Sequence, residues 1–328
     1  MRKRRITSAG LDLTEIGFGA AGIAGLYVEC SEETAQATLE LAWQSGIRYF
    51  DTAPFYGAGL SEERVGRFLA GKPRDDFVIS TKVGRLLQLA PVSAAPSHGF
   101  VGAHSCAIEF DYSGDGILRS IEASIKRTGL DRFDILYVHD IGTYAHSEDD
   151  NARHMQAFTR SGIAALDELK ASGVIKGWGL GVNEVAICLD VLERTHMDCI
   201  LIAGRYTLLD RRAEERLIPL CAERGTSLVV GGVFNSGILA TGAVPGARFD
   251  YVEADADIFD RVGRIEALAA EAGTDIATAA LQFPLQNPAV ASVLIGSADT
   301  STLRRNLTAL SRSVEPSLYE ASRAFTVR

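Results

Sequence analysis

Residues 47–63 read Ile-Arg-Tyr-Phe-Asp-Thr-Ala-Pro-Phe-Tyr-Gly-Ala-Gly-Leu-Ser-Glu-Glu. Arg48–Asp51 is a strand-like run that ends on a carboxylate, and Asp51 and Pro54 are common turn residues. Ser61-Glu62-Glu63 then reads as a helix start, a hydroxyl cap followed by two acids at the positive helix end. A strand, a turn bearing polar and aromatic side chains, and a helix make one unit. Its repetition decides the fold.

Outward from this stretch, apolar and β-branched runs occur at Thr14–Gly19, Arg48–Asp51, Phe77–Val83, Phe133–His139, Ile175–Val182, Asp198–Ala203, Ser227–Gly232 and Ser292–Gly296. Helical patterns lie between them. Ser31-Glu32-Glu33 opens the first, and Gly46, Gly71, Gly129, Gly173 and Gly225 follow helical runs as C-terminal caps do. Eight such alternations predict an α/β fold, a (β/α)8 TIM barrel rather than an open sheet. Arg4–Ile16, with Ser8-Ala9-Gly10 as its turn, predicts a hairpin across the barrel bottom. No composition shift marks a linker, so residues 1–328 are expected as one domain. Leu87–Gly116 after strand three and Thr241–Asp257 after strand seven break the rhythm. Long loops at that face of a barrel usually shape a site.

The net charge of −9, with no long basic stretch, argues against a nucleic-acid partner. Five cysteines without metal-ligand spacing suit a reducing, cytoplasmic compartment. Arg2 to Arg5 are basic but no apolar segment follows them, and no apolar run of about 18 residues exists, so neither a secretory signal nor a membrane span is expected. His98, His104 and Cys106 lack regular ligand spacing, so no metal is expected.

Asp51, Tyr56, Lys82 and His139 sit at or just past the ends of strands two, three and four, where barrel active sites are assembled. Each has an ordinary explanation alone: a turn Asp, a rim aromatic, a satisfied core His. Lys82 resists one, because it lies within Val78–Val83 and a buried ammonium needs a carboxylate or a function. Together they form a proton-transfer set. Lys82 is expected to stabilise a Tyr56 phenolate and lower its pKa from near 10, with Asp51 keeping Lys82 charged and oriented. Tyr56 then exchanges a proton with an alcohol or alkoxide, and His139 orients the same oxygen.

The motif Gly17-Phe18-Gly19, the run Asp51-Thr52-Ala53-Pro54-Phe55-Tyr56-Gly57 with Ser61-Glu62 after it, Thr81-Lys82 and His139-Asp140 resemble the aldo-keto reductase superfamily, in order, from about Leu13 to Leu310. The resemblance implies a barrel that binds a nicotinamide cofactor without a Rossmann domain. It also implies Tyr56 as the acid/base with Asp51, Lys82 and His139 as its partners.

Gly17-Phe18-Gly19-Ala20-Ala21-Gly22 matches G-x-G-x-x-G, but Ile23–Cys30 separates it from the first helix, which a Rossmann fingerprint does not allow. In a barrel, Gly19 and Ala20 end the first strand and let a ligand approach the backbone. The segments Gly231–Leu239 and Gly296–Thr300 follow strands seven and eight, the usual phosphate site of such barrels. Gly237 lies in the first of them. By resemblance, Ser236, Leu239, Gly296, Ser297 and Asn306 contact the dinucleotide. Asn183 is the candidate for the carboxamide, and Gly231 stands where an aromatic usually stacks on nicotinamide. Relatives that prefer NADP tend to carry Lys or Arg near Gly296 or Ala298 and near Thr302. This chain has none there, which favours NAD, although Arg304 and Arg305 would serve NADP if one turned inward.

The segments Phe110–Ser113, Gly181–Glu184, Ala203–Leu209 and Asn235–Ala240 look like one branch of the superfamily, that of NAD-dependent D-threo-aldose 1-dehydrogenases (L-fucose dehydrogenases) and a pyridoxal 4-dehydrogenase. The resemblance implies oxidation of an aldose at C1 to its lactone as the first expectation. The alternatives are pyridoxal oxidised to 4-pyridoxolactone, and a general aldehyde reductase. A nucleotide-sensing subunit, like channel-associated relatives, is the non-enzymatic alternative; the complete set of four argues against it. A sugar needs several polar groups, for which Arg205, Asn183, His98, His104 and Asp111 are candidates. A pyridine ring needs an aromatic wall, for which Phe18, Phe55, Tyr112 and Phe234 are candidates.

Overall fold

The computed structural model describes residues 1–89 and 99–327. Eight parallel strands close a barrel: β1 Ile16–Gly19, β2 Tyr49–Asp51, β3 Val78–Val83, β4 Ile135–His139, β5 Gly177–Val182, β6 Cys199–Ala203, β7 Ser227–Gly231 and β8 Val290–Gly296. Each lies within two residues of its expected bounds. They follow one another around the barrel in chain order, and β8 pairs back onto β1 through Leu294↔Gly17 and Gly296↔Gly19. This topology establishes the (β/α)8 barrel.

Successive strand side chains alternate between the interior and the helical layer. Phe50, Leu136, Val138, Trp178 and Leu180 face outward into the main core, whereas Tyr49, Ile135, Tyr137, Cys199 and Leu201 form a second cluster inside. Gly17 makes room in that interior, because a Cβ there would lie 2.7 Å from Tyr49 and Leu294 side-chain atoms. Ile6 and Leu13 close the cluster from below. They belong to the N-terminal hairpin, Lys3–Ile6 paired with Leu11–Thr14. Arg4 fastens the hairpin by donating to the carbonyls of Leu285, Asn287 and Val290.

Three local expectations change. The helix after β2 (Leu60–Leu69) starts from Gly59, so Ser61 does not cap it. Ser61 lies inside the first turn and bridges Thr52 Oγ1, 2.8 Å away, and the carbonyl of Ala20, 3.0 Å away. Leu87–Gly116 is not wholly loop, since Arg85–Leu89 pairs antiparallel with Cys106–Phe110 and a helix begins at Gly114; residues 90–98, including His98, lie outside the described residues. Thr241–Asp257 likewise holds a small hairpin, Arg248–Phe249 paired with Val252–Glu253.

Gly179 on β5 approaches β6 so closely that a Cβ would lie 1.6 Å from the carbonyl oxygen of Cys199. Backbone cannot step aside as a side-chain tip can. Gly179→Ala is therefore expected to destabilise the fold by ~3 kcal/mol or more, read as a lower urea midpoint.

Candidate active site

Strand register brings the four residues together. Asp51 pairs with Ser80 across β2 and β3, Lys82 with Tyr137 across β3 and β4, and His139 with Gly181 across β4 and β5. All point inward at the C-terminal end. Gly181 leaves space, since a Cβ there would sit 3.4 Å from Lys82 Cε and 3.0 Å from Tyr137 Cβ. Tyr56 enters from the turn after β2. Gly57, Ala58 and Gly59 follow it with φ of 62°, 55° and 98°, a left-handed run that folds the chain sharply and lets Tyr56 hang over the barrel mouth.

Lys82 Nζ donates to Asp51 Oδ2 at 2.6 Å and to the carbonyl of Thr52 at 3.0 Å. It also lies 4.6 Å from the Tyr56 ring centroid. Both ionic side chains are only 2% exposed. Burial alone draws Lys82 down, but the Asp51 carboxylate and the Tyr56 oxygen outweigh it and its pKa is raised. The Tyr56 hydroxyl corrects the expectation of a lowered value. Burial pushes it up from 10.0, against the Lys82 charge and hydrogen bond. His139 stands edge-on to Tyr56, with ring centroids 6.0 Å apart. Its own burial, then Arg85 and Lys82, depress its pKa well below 6.5, so it is a neutral imidazole. Tyr112 Oη donates to the His139 carbonyl at 2.8 Å and fixes the strand end.

These residues open onto a cavity of about 550 Å³. Phe55, Tyr56, Phe100, Tyr27, Tyr144 and Tyr251 supply its aromatic walls. Its polar groups include Arg85, Asp140, Asn183 and Arg248. Arg85 stacks on Phe55 at 4.5 Å and forms an ion pair with Asp140. Asn183 donates to Asp140 Oδ1 at 3.2 Å and accepts from Tyr251 Oη at 3.4 Å. The hairpin after β7 reaches over this side. Its Asp250 accepts from Arg205 at 2.9 Å, and its Tyr251 N–H donates to Ser236 Oγ at 2.9 Å.

Several candidates stand elsewhere. Phe18 faces outward and packs on Phe50 at 6.3 Å, which corrects its placement on the substrate wall. Arg205 is neutralised by Asp250 and does not line the cavity. Tyr112 lies behind the wall, and Phe234 lines a different cavity. Ala20 is fully buried with its N–H committed to the carbonyl of Asp51, and Ala21 lines the cavity in its place. His104 pairs with Glu63 at 3.1 Å and Asp111 with Arg119 at 2.6 Å. Arg85, Tyr144 and Tyr251 were missed in the sequence. Only Arg85 carried a signal, as a charge one glycine past the apolar third strand.

Apart from Asn183 after β5, the residues expected to hold a dinucleotide end or follow β7, β8 and β1. Gly19 and Gly296 pair at adjoining strand ends and Gly231 ends β7. Ser236 and Gly237 adopt φ of 61° and 106° beside the single helical turn Ile238–Thr241, whose Leu239 side chain is core. Ser297 donates to the Asp299 carbonyl at 2.6 Å. A second cavity, of about 680 Å³, runs past Phe234, Ala240, Thr241, Arg305 and Asn306.

The structure is thus a closed parallel barrel that gathers Tyr56, Lys82, Asp51 and His139 at its C-terminal mouth. The chain belongs to the aldo/keto reductase family, whose model matches residues 15–324. It is 43% identical over 332 residues to pyridoxal 4-dehydrogenase of Microbacterium luteolum, covering 98% of this chain and 96% of that one. It is 39% identical over 305 residues to D-threo-aldose 1-dehydrogenase of a Pseudomonas species, covering 91% and 90%. Among solved structures, the holo form of aldo-keto reductase AKR11C1 from Bacillus halodurans superposes with a TM-score of 0.76 at 25% identity, covering 100% of this chain and 97% of the other.

The buried pair is testable by a double-mutant cycle. Lys82→Met strands Asp51 without its counter-ion and is expected to cost ~3–5 kcal/mol of stability. Adding Asp51→Asn should recover part of that loss, so that urea unfolding of the double variant shows less destabilisation than the two singles summed.

Proposed function

We propose that this protein oxidises a cyclic hemiacetal to its lactone with NAD, and that a flat, aromatic-fused hemiacetal is preferred over a pyranose. The observation that carries this reading is the wall facing Tyr56, in which Tyr27, Phe55, Phe100, Tyr144 and Tyr251 present rings. Such a wall gains most from a planar partner that it covers on both faces. The similarity to a pyridoxal 4-dehydrogenase supports it. The aldose reading keeps its own support in the D-threo-aldose 1-dehydrogenase relative and in the cavity's Arg85, Asp140 and Asn183.

An oxidised nicotinamide, when bound, would supply the hydride acceptor. Tyr56 takes the hydroxyl proton of the hemiacetal as the C–H bond of the same carbon breaks. Lys82 lies against the Tyr56 ring and stabilises the phenolate. Neutral His139 hydrogen-bonds the substrate oxygen without competing for its proton. Because burial raises Tyr56 and the base form is required, oxidation should speed up as pH rises toward that pKa.

The choice of NAD rests on Asp299. It caps the helix after β8 (Thr300–Ala309), accepting from Thr302 N at 2.9 Å and Ser301 Oγ at 2.6 Å. Those bonds, the Ser301 hydroxyl first, hold its carboxyl at about 2, and a fixed negative charge on the loop expected to meet the cofactor ribose supports NAD over a cofactor with a 2′-phosphate. Arg305 turns back toward Thr302, but at 3.5 Å and from an exposed position.

Initial rates with pyridoxal, L-fucose and D-arabinose under NAD test the substrate. Pyridoxal is expected to give the highest kcat/KM, and Tyr56→Phe to bind NADH yet lose turnover at least 100-fold, an order-of-magnitude expectation of about 10² for general acid–base work. NADH formation from the sugars alone would reject the aromatic preference. For the cofactor, NAD should outperform NADP in the wild type. Ala298→Arg is expected to raise kcat/KM for NADP roughly tenfold, the worth of one charged hydrogen bond.

A further inference from the structure

The catalytic carboxylate does not end at Lys82. Ser80 Oγ donates to Asp51 Oδ1 at 2.7 Å. Behind Ser80, Tyr49 Oη lies 3.0 Å away, Tyr137 Oη lies 3.1 Å from Tyr49 Oη, and Cys199 Sγ lies 3.6 Å from Tyr137 Oη. All four side chains are fully buried in the barrel interior. They descend from the mouth toward the hairpin that closes the bottom, where Ile6 and Leu13 seal the cluster from water.

The direction of every bond in this chain follows from one end. An ionised carboxylate only accepts, so the Ser80 hydrogen is spent on Asp51. Ser80 must then accept from Tyr49, Tyr49 from Tyr137, and Tyr137 from the Cys199 thiol. Four donors are thus aligned head to tail on Asp51 Oδ1, in an enclosed low-dielectric interior where such chains polarise one another. The opposite face of the same carboxylate meets Lys82.

We infer that Ser80, Tyr49 and Tyr137 form a polarised hydrogen-bond chain that acts through Asp51 and Lys82 to set the proton affinity of Tyr56. They are positioning residues, since none of them lines the substrate cavity. The inference rests on Tyr56 being the acid/base. By holding the negative charge on Asp51, the chain keeps the proton on Lys82, and the Lys82 charge stabilises the phenolate. The raised pKa of the Tyr49 and Tyr137 hydroxyls, caused first by burial, keeps both as donors at any working pH. The other titratable or charged groups around Asp51, Lys82 and Tyr56 are His139 and Asp140 at the end of β4, Arg85 beyond β3, and Tyr251 from the hairpin after β7. They remain in place in every variant below.

The test is the pH profile of kcat for oxidation in Ser80→Ala, Tyr49→Phe and Tyr137→Phe, with thermal melting to confirm that each folds. Losing a donor weakens the Asp51 anion, loosens the Lys82 charge and destabilises the phenolate, so the midpoint moves to higher pH. Ser80→Ala should shift it by about half a unit to one unit, a part of the worth of one hydrogen bond to a charged group because the effect reaches Tyr56 through Asp51 and Lys82, and Tyr49→Phe and Tyr137→Phe progressively less. A merely structural role would lower melting temperatures and leave the midpoint alone. Unchanged midpoints in Ser80→Ala and Tyr49→Phe, with Tyr56→Phe inactive, would overturn the chain and spare the role of Tyr56. Full activity in Tyr56→Phe would overturn both.

Discussion

Taking Asp51 and Lys82 out of water side by side costs several kcal/mol per ion, and much of the barrel mouth is arranged to offset that cost. The ammonium is met by Asp51 and the Thr52 carbonyl, and the carboxylate by Lys82 and Ser80. Gly181 keeps space beside the Lys82 stem, and Tyr56 lies against its charge. The pair needs β2 and β3 in register to within one residue, because a slip would turn either charge into the helical layer. Fold and chemistry are therefore bound by the same constraint.

That constraint also explains what was legible in the sequence. Strands buried on both faces read as continuous apolar runs, so all eight appeared within two residues of their bounds. A lysine inside such a run has no route to solvent, and Lys82 announced itself for that reason. Phe18 did not, because the face of a strand depends on register. With Gly17 directed inward against Tyr49, Phe18 must point to the helices. The link between Arg205 and Asp250 spans 45 residues of chain, and no local pattern foretells it. The net direction at Tyr56 was misjudged because it is a difference between burial and a nearby charge, and burial is a property of the fold.

Ser61 shows a different limit. A serine followed by two acids satisfies the chemistry of a helix cap. Its hydroxyl is instead drawn to Thr52 and the Ala20 carbonyl, which tie the loops after β1 and β2 together under Tyr56. Local capping yields there to a contact 41 residues away. The helix starts earlier, from a left-handed Gly59, and the hydroxyl serves the mouth of the barrel.

Backbone strain is divided along the same axis. Among the described residues, the non-glycine positions with positive φ are Tyr27, Ala58, Asp140, Asn235, Ser236, Asp250 and Tyr251. Every one follows the C-terminal end of a barrel strand: Tyr27 after β1, Ala58 after β2, Asp140 after β4 and the rest after β7. The bottom, by contrast, is closed by a regular two-stranded hairpin anchored through Arg4. Conformations costing about 1–3 kcal/mol each persist only where surrounding contacts over-determine them. Asp140 has Arg85 and Asn183, Asp250 has Arg205, and Tyr251 has Ser236. The regular half of the barrel thus supplies stability that the mouth uses to hold residues such as Tyr27, Asp140 and Tyr251, which line the cavity, in poses the backbone would not adopt unaided.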